Sequence, residues 1–123
     1  MNLFVIAAGG ALGSVARYLL SAVILRVSGP SFPLGTFVVN VIGCGVFGAI
    51  AGAATGRLSL SPELRLFLLT GVLGGFTTFS SFAFESVALV RAGQMAAAAT
   101  NIAGQVVLGI VALGFAYAVT ANQ

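Results

Sequence analysis

The sequence has very little charge. Of its 123 residues, 6% are charged, namely five arginines and two glutamates, whereas a soluble domain carries about 25% charged residues. Hydrophobic residues make up 59% of the chain. A soluble core of this size could not bury so much apolar surface, which excludes an ordinary water-soluble fold. We therefore expect the chain to lie in lipid.

The sequence also lacks the residues of most enzyme sites. It has no histidine and a single cysteine, so the usual metal-binding and general-base chemistry is absent. No nucleophile–base pair is visible, and we expect no enzymatic activity. Cys44 lies in a run of small residues, where it is expected to be a small buried thiol. The arginines are dispersed and form no basic patch, which argues against nucleic-acid binding despite the net charge of +3.

Long stretches without charge are present instead. Residues 27–56, 66–84 and 92–123 contain no charged side chain, and a bilayer core needs about 20 apolar residues per helix. A further apolar stretch begins near the N-terminus and is interrupted only by Arg17. No basic segment precedes it, so we expect a retained first helix rather than a secretory signal.

The sequence thus predicts an all-α integral membrane protein, because lipid favours helices that satisfy their own backbone groups. A single transmembrane domain is expected over residues 1–123. Its four spans are roughly 3–26, 34–56, 63–91 and 95–120.

Glycines recur at four-residue spacing in the first two spans. Small residues four apart share a helix face and let membrane helices approach closely. We therefore predict that five glycines pack against neighbouring helices. They are Gly9, Gly13, Gly48, Gly52 and Gly56.

The arginines do not select an orientation in the membrane. Cytoplasmic loops normally carry the excess of basic residues. Here one side would carry Arg57 and Arg65 and the other Arg26 and Arg91, with Arg17 left out because its depth is not fixed. The even count indicates either weak statistics in a short protein or a chain that inserts both ways and pairs as an antiparallel dimer.

Residues 71–85, GVLGGFTTFSSFAFE, combine glycines, hydroxyls and phenylalanines inside the third span. Each glycine weakens a helix by roughly 1 kcal/mol relative to alanine, and the neighbouring β-branched Thr77 and Thr78 crowd each other. The segment therefore predicts a break near the middle of the third helix. A break frees backbone carbonyls, which are good ligands for a hard cation.

After the predicted break, Phe79 and Phe82 are three residues apart and share a helix face. The edge of an aromatic ring is positive, so ring edges beside hydroxyls could favour an anion without trapping it. The alternative is a phenylalanine-rich packing seam whose hydroxyls bond back to their own helix. The residues alone leave both interpretations open.

Other polar side chains within the spans are candidates for function, because such groups are expensive in lipid. Asn40 could form an interhelical hydrogen bond or offer an amide to an anion. Arg17 could reach towards the interface or be a fixed cation, and Glu85 could pair with an arginine or titrate. Asn101 and Gln105 share a face of the fourth span, as polar packing or as pore lining.

Three ordered motifs resemble the Fluc/CrcB family of fluoride channels and together cover nearly the whole chain. GGALGSVARY (9–18) is similar to the family's first-span motif and PLGTFVVNVIG (33–43) to its second. GVLGGFTTFSSF (71–82) is similar to the third-span signature and is the most specific of the three. The signature often ends STF, whereas here it ends SSF, which keeps a hydroxyl at Ser81.

The resemblance implies an antiparallel, dual-topology homodimer with two fluoride pores along its interface. Phe79 and Phe82 would be the pore phenylalanines and Asn40 the pore asparagine. The carbonyls of Gly74 and Thr77 would hold a structural Na+ at the dimer centre. Additional residues match the family pattern near the pore: Thr78 and Ser81 on a polar track, Arg17 near a vestibule, and Glu85 without an assigned role.

The resemblance also implies a passive fluoride-selective channel in the bacterial plasma or inner membrane, surrounded by lipid, which lets fluoride leave the cytoplasm and so reduces its toxicity. The alternative is a small dual-topology multidrug transporter, which has a similar length and number of spans. That alternative would require a carboxylate in the first span, and residues 1–26 contain no aspartate or glutamate.

Overall fold

The fold is entirely helical in a computed structural model that describes residues 1–123. Four helical stretches are long and apolar enough to cross a membrane, as the sequence predicts, and their ends lie within a few residues of the expected limits. We number five helices, because the third span is divided. They are α1 (Asn2–Ser28), α2 (Leu34–Thr55), α3 (62–76), α4 (Phe79–Arg91) and α5 (Met95–Ala121).

The helices pack as two close pairs, α1 with α3 and α2 with α5. Glycines make these approaches possible. A Cβ atom on Gly13 would fall on the carbonyl oxygen of Val72, and one on Gly48 would fall on the carbonyl oxygen of Leu113. Gly9 and Gly52 are similarly enclosed, so the predicted glycine faces do pack against neighbouring helices.

Gly56 differs from the other predicted packing glycines. It follows the last residue of α2, and a Cβ there would meet its nearest neighbour, the Ala121 carbonyl oxygen, at 3.4 Å. That distance is an ordinary contact. Gly56 therefore does not belong to the packing face of Gly48 and Gly52, because α2 ends at Thr55.

The third span is broken, but not by its glycines. Residues 71–76 are helical, and the extended residues are Thr77 (φ −82°, ψ 154°) and Thr78 (φ −148°, ψ 111°). Gly71 and Gly75 instead let α3 approach α1, since a Cβ on Gly75 would lie 2.5 Å from the Gly10 carbonyl oxygen. The prediction of a break is confirmed. It lies at Thr77 and Thr78, which the prediction named, and not at the glycines that it also named.

Much of α3 is a π-helix, over Leu66–Leu73. This wider form bonds each amide to the fifth residue before it and is often found near functional sites. It ends three residues before the break and packs through Gly71 against Gly9 of α1. No pattern in the sequence predicted this π-helix.

Few side chains are enclosed by a single chain. Only 15 of 123 residues are buried, so the four spans must be covered mainly by something outside the chain. Large apolar side chains are exposed along α1, α4 and α5, including Leu12, Phe84 and Ile110. This surface suits lipid or a second protein chain, which agrees with a multi-pass membrane protein.

Candidate functional site at the helix break

The break is held by the side chain of Asn40 on α2. The backbone N–H of Thr78 donates to Asn40 Oδ1 at 2.8 Å, and Asn40 Nδ2 donates to the Thr78 carbonyl oxygen at 3.0 Å. One amide thus replaces both helical hydrogen bonds that Thr78 loses by being extended. Asn40 Nδ2 also donates to Gln105 Oε1 at 2.8 Å, so both of its hydrogens are used within the chain.

Two phenylalanines stand directly after the break. The ring centroids of Phe79 and Phe82 are 5.6 Å apart, and the rings are tilted by 46°. Phe79 is 79% exposed, and both rings line an open cavity of about 330 Å³. Asn40 and Gln105 line the same cavity, and none of its lining residues is charged.

The hydroxyls around the break divide into two groups. Thr77 and Ser86 bond back to their own helix, with Oγ donating to the carbonyl oxygens of Leu73 and Phe82 at 2.9 and 2.7 Å. Thr78 Oγ1 instead accepts from the Ser81 N–H at 3.2 Å, caps α4 and donates to Ser81 Oγ at 3.0 Å.

No carbonyl accepts the proton of Ser81 Oγ or of the exposed Ser80 Oγ. The alternative of hydroxyls bonded back to the helix therefore holds for Thr77 and Ser86 but not for Thr78, Ser80 and Ser81. The latter hydroxyls surround the first turn of α4, whose backbone N–H groups have no helical partner. This end of α4 is thus a concentration of neutral hydrogen-bond donors.

Arg17 lies at the other side of the break, at the end of α3. Its Nε donates to the carbonyl oxygen of Gly75 at 3.1 Å, so the cation sits against the negative end of a helix. The side chain is half-buried. It is therefore anchored to the break, and it does not line the larger cavity described next.

Glu85 lies in a second cavity, of about 420 Å³, between the ends of α1 and α4 and the 29–33 loop. The Thr36 hydroxyl donates to Glu85 Oε1 at 2.8 Å, and Glu85 Oε2 is buried without a hydrogen-bond partner. The partner of this carboxyl group is thus a threonine. Of the two alternatives that the sequence left open for Glu85, pairing with an arginine is not seen within this chain.

The carbonyl oxygens of Gly74 and Thr77 fit a cation site in their chemistry. No side chain and no loop or cap amide donates to either of them. Freed backbone carbonyls of this kind are ligands for hard cations. Their role with Na+ stays a prediction.

A row of buried amides extends from Asn40 along α5. Gln105 Nε2 donates to Asn101 Oδ1 at 2.8 Å, and Asn101 Nδ2 donates to Ser86 Oγ at 3.0 Å. Asn101 is completely buried. Ser86 was not singled out in the sequence, although its spacing of four residues from Phe82 places both on one face of α4.

Comparison with known proteins identifies a family over nearly the whole chain. The family model described as CrcB-like protein, Camphor Resistance (CrcB), matches residues 4–117. The chain belongs to the CrcB-like family. This placement confirms the family predicted from the three motifs, and it does not favour the multidrug transporter.

Curated members of the CrcB-like family are similar over most of their length. The chain is 56% identical to the fluoride-specific ion channel FluC of Maridesulfovibrio salexigens over 104 residues, which are 85% of this chain and 82% of that one. It is 53% identical to the FluC of Nitratidesulfovibrio vulgaris, over 85% and 84% of the two chains. It is 51% identical to the FluC of Anaeromyxobacter dehalogenans, over 94% and 90%.

Proposed function

We propose that this protein is a fluoride-selective ion channel that lets fluoride leave the cytoplasm passively. The relatives named as fluoride-specific channels share about half of their residues with it over most of both chains. The observation that carries the proposal is the pair Phe79 and Phe82 beside the donor-rich start of α4. Because fluoride enters cells as its neutral acid and ionises inside, an exit for the anion lowers the internal concentration.

The site can bind an anion without holding it too tightly. Conduction requires binding that replaces hydration and still releases the ion. The ring edges of Phe79 and Phe82 and the nearby Ser81 hydroxyl are weak positive groups, and no charged side chain lines the cavity beside the two rings. Fluoride is therefore passed between neutral donors rather than captured by an arginine.

The pore is completed by a second copy of the chain. Phe79 lies on the outside of a single chain with 79% of its surface exposed, and the cavity beside it is open. A second copy inserted in the opposite direction would cover this face. The even distribution of arginines over the two sides supports such a dual-topology, antiparallel homodimer.

A structural Na+ at the dimer centre would be held by the carbonyls of Gly74 and Thr77. These oxygens accept no hydrogen bond from a loop, cap or side chain, which supports the assignment. The ion would supply a fixed positive charge beside the pores. Within this chain, Arg17 fixes the neighbouring Gly75 carbonyl and Asn40 fixes Thr78, which keeps the two free carbonyls in place.

Anion efflux from liposomes containing the purified protein tests the proposed function. We expect rapid fluoride release and no chloride release at equal gradients. Protein-free liposomes and liposomes with a heat-denatured sample are the controls for leakage. Equal permeation of fluoride and chloride would contradict the selectivity, and no fluoride release would contradict the channel itself.

A further inference from the structure

A continuous chain of side-chain hydrogen bonds connects α4, α5 and α2 to the break. It begins at the Phe82 carbonyl and passes through Ser86, Asn101 and Gln105 to Asn40. Every link is between 2.7 and 3.0 Å long. Asn40 then makes two hydrogen bonds with the backbone of Thr78.

Hydrogen-bond donation along this series of side chains can run in only one direction. The Ser86 hydroxyl has a single proton, which goes to the Phe82 carbonyl, so Ser86 Oγ can only accept from Asn101. The amide of Asn101 must then present its oxygen to Gln105. Gln105 in turn must present its oxygen to Asn40.

The same direction is required at the break. The Thr78 N–H needs an acceptor, and the Thr78 carbonyl needs a donor. Asn40 meets both needs only with Oδ1 towards the amide and Nδ2 towards the carbonyl and Gln105. One end of this series of hydrogen bonds is set by the Ser86 hydroxyl and the other by the backbone of Thr78. Both ends require the same orientation of the Asn40 amide.

Burial makes this orientation expensive to change. Asn101 is completely buried, and Ser86 and Gln105 are 6% and 7% exposed. A buried donor or acceptor without a partner costs about 1–3 kcal/mol, so an Asn40 amide turned the other way would leave unsatisfied groups at the break and at Gln105.

We propose that Gln105 is a positioning residue that fixes the orientation of Asn40 and, through it, the extended conformation of Thr78. This inference deepens the proposed channel function and rests on it for the effect on fluoride. The extended Thr78 sets where the Thr77 carbonyl points and where α4 begins. Gln105 thereby determines the placement of Phe79 and the Ser81 hydroxyl without needing to contact the ion.

The substitution Gln105→Met tests the inference, because methionine has a similar length and no amide. The variant removes both hydrogen bonds of Gln105, the one from Asn40 and the one to Asn101. We expect amide hydrogen exchange of residues 77–81 to become about tenfold faster, with exchange in the second half of α5 unchanged. Fluoride efflux should fall by about tenfold. Val107→Met, at a 56% exposed position of the same helix, is the matched control and should change neither quantity.

A double substitution separates positioning from general stabilisation. If Gln105 acts through Asn40, then Gln105→Met should have little further effect on efflux in an Asn40→Ala background. Additive losses, or unchanged exchange at residues 77–81 in Gln105→Met, would overturn the proposal. The exchange measurement holds even if the wild-type protein passes no fluoride, a result that would instead contradict the proposed function.

A milder variant covers the possibility that Gln105→Met does not fold. Ser86→Ala removes only the hydroxyl that sets the direction at the far end of the chain. Faster exchange at residues 77–81 is expected here too, although Ser86 makes no hydrogen bond with Asn40 or Thr78. Exchange equal to that of the wild type would overturn the inference.

Discussion

At the scale of single residues, the acceptor of each hydroxyl proton shows which hydroxyls are engaged within a helix and which remain free to donate to an ion. Thr77 and Ser86 give their protons to carbonyls of their own helix, as hydroxyls in apolar helices commonly do. Ser81 accepts from Thr78, and its own proton remains available. The sequence predicted hydroxyls beside phenylalanines. It did not predict which hydroxyls were engaged, because that depends on the backbone angles of Thr77 and Thr78.

The two phenylalanines after the break should control the rate of fluoride efflux. Isoleucine keeps the apolar bulk of phenylalanine but has no positive ring edge. We expect Phe79→Ile and Phe82→Ile each to slow fluoride efflux by about tenfold, which corresponds to roughly 1.4 kcal/mol in the barrier. The measurement is the initial efflux rate from liposomes with equal amounts of folded protein.

Phe84→Ile is the matched control for this pair. Phe84 is on the same helix and 75% exposed, but successive helical residues are about 100° apart, so its ring faces away from the Phe79 side. Its rate should stay near that of the wild type. Normal rates in all three variants would show that ring edges do not assist the anion.

At the scale of helices, the four spans could be predicted and the shape of the third could not. Charge-free stretches fix the spans because lipid allows few alternatives. The break depends on Asn40, which is 38 residues away in sequence from Thr78. The helix propensities of neighbouring residues cannot predict a contact at that separation. Gly71 and Gly75 serve the packing of α3 against α1 instead. The π-helical turns of Leu66–Leu73 leave no recognisable pattern in the sequence.

The close approach of α1 and α3 should fail when a methyl group is added at Gly13. An added Cβ would fall on the Val72 carbonyl oxygen and lie 2.9 Å from the Phe76 nitrogen. Overpacking of this kind costs about 1–3 kcal/mol, so Gly13→Ala should lower the unfolding temperature in detergent. Gly114→Ala, where no atom lies within 4 Å of the added Cβ, should not lower it, and equal unfolding temperatures for the two variants would contradict the packing account.

At the scale of the whole molecule, a single chain would be incomplete as the proposed channel in two respects. Its candidate pore opens on an exposed face around Phe79. Its two free carbonyls, at Gly74 and Thr77, are too few to replace the hydration shell of a cation. An antiparallel second copy would supply both the missing wall and two further carbonyls, so cation binding and dimer formation should be linked.

This linkage predicts that Na+ stabilises the dimer. A ligand that binds only the assembled form shifts the equilibrium towards it by mass action. We expect the dimer fraction of the purified protein, measured by single-molecule photobleaching in lipid, to fall when Na+ is replaced by N-methylglucamine at constant ionic strength. Because ionic strength is held constant, general screening is the same in both solutions, and the difference is that the bulky organic cation cannot enter a site built for a small ion. A dimer fraction that is the same in both solutions would contradict a structural Na+ at the carbonyls of Gly74 and Thr77. The proposed fluoride pathway along Phe79 and Phe82 would then be tested by efflux alone.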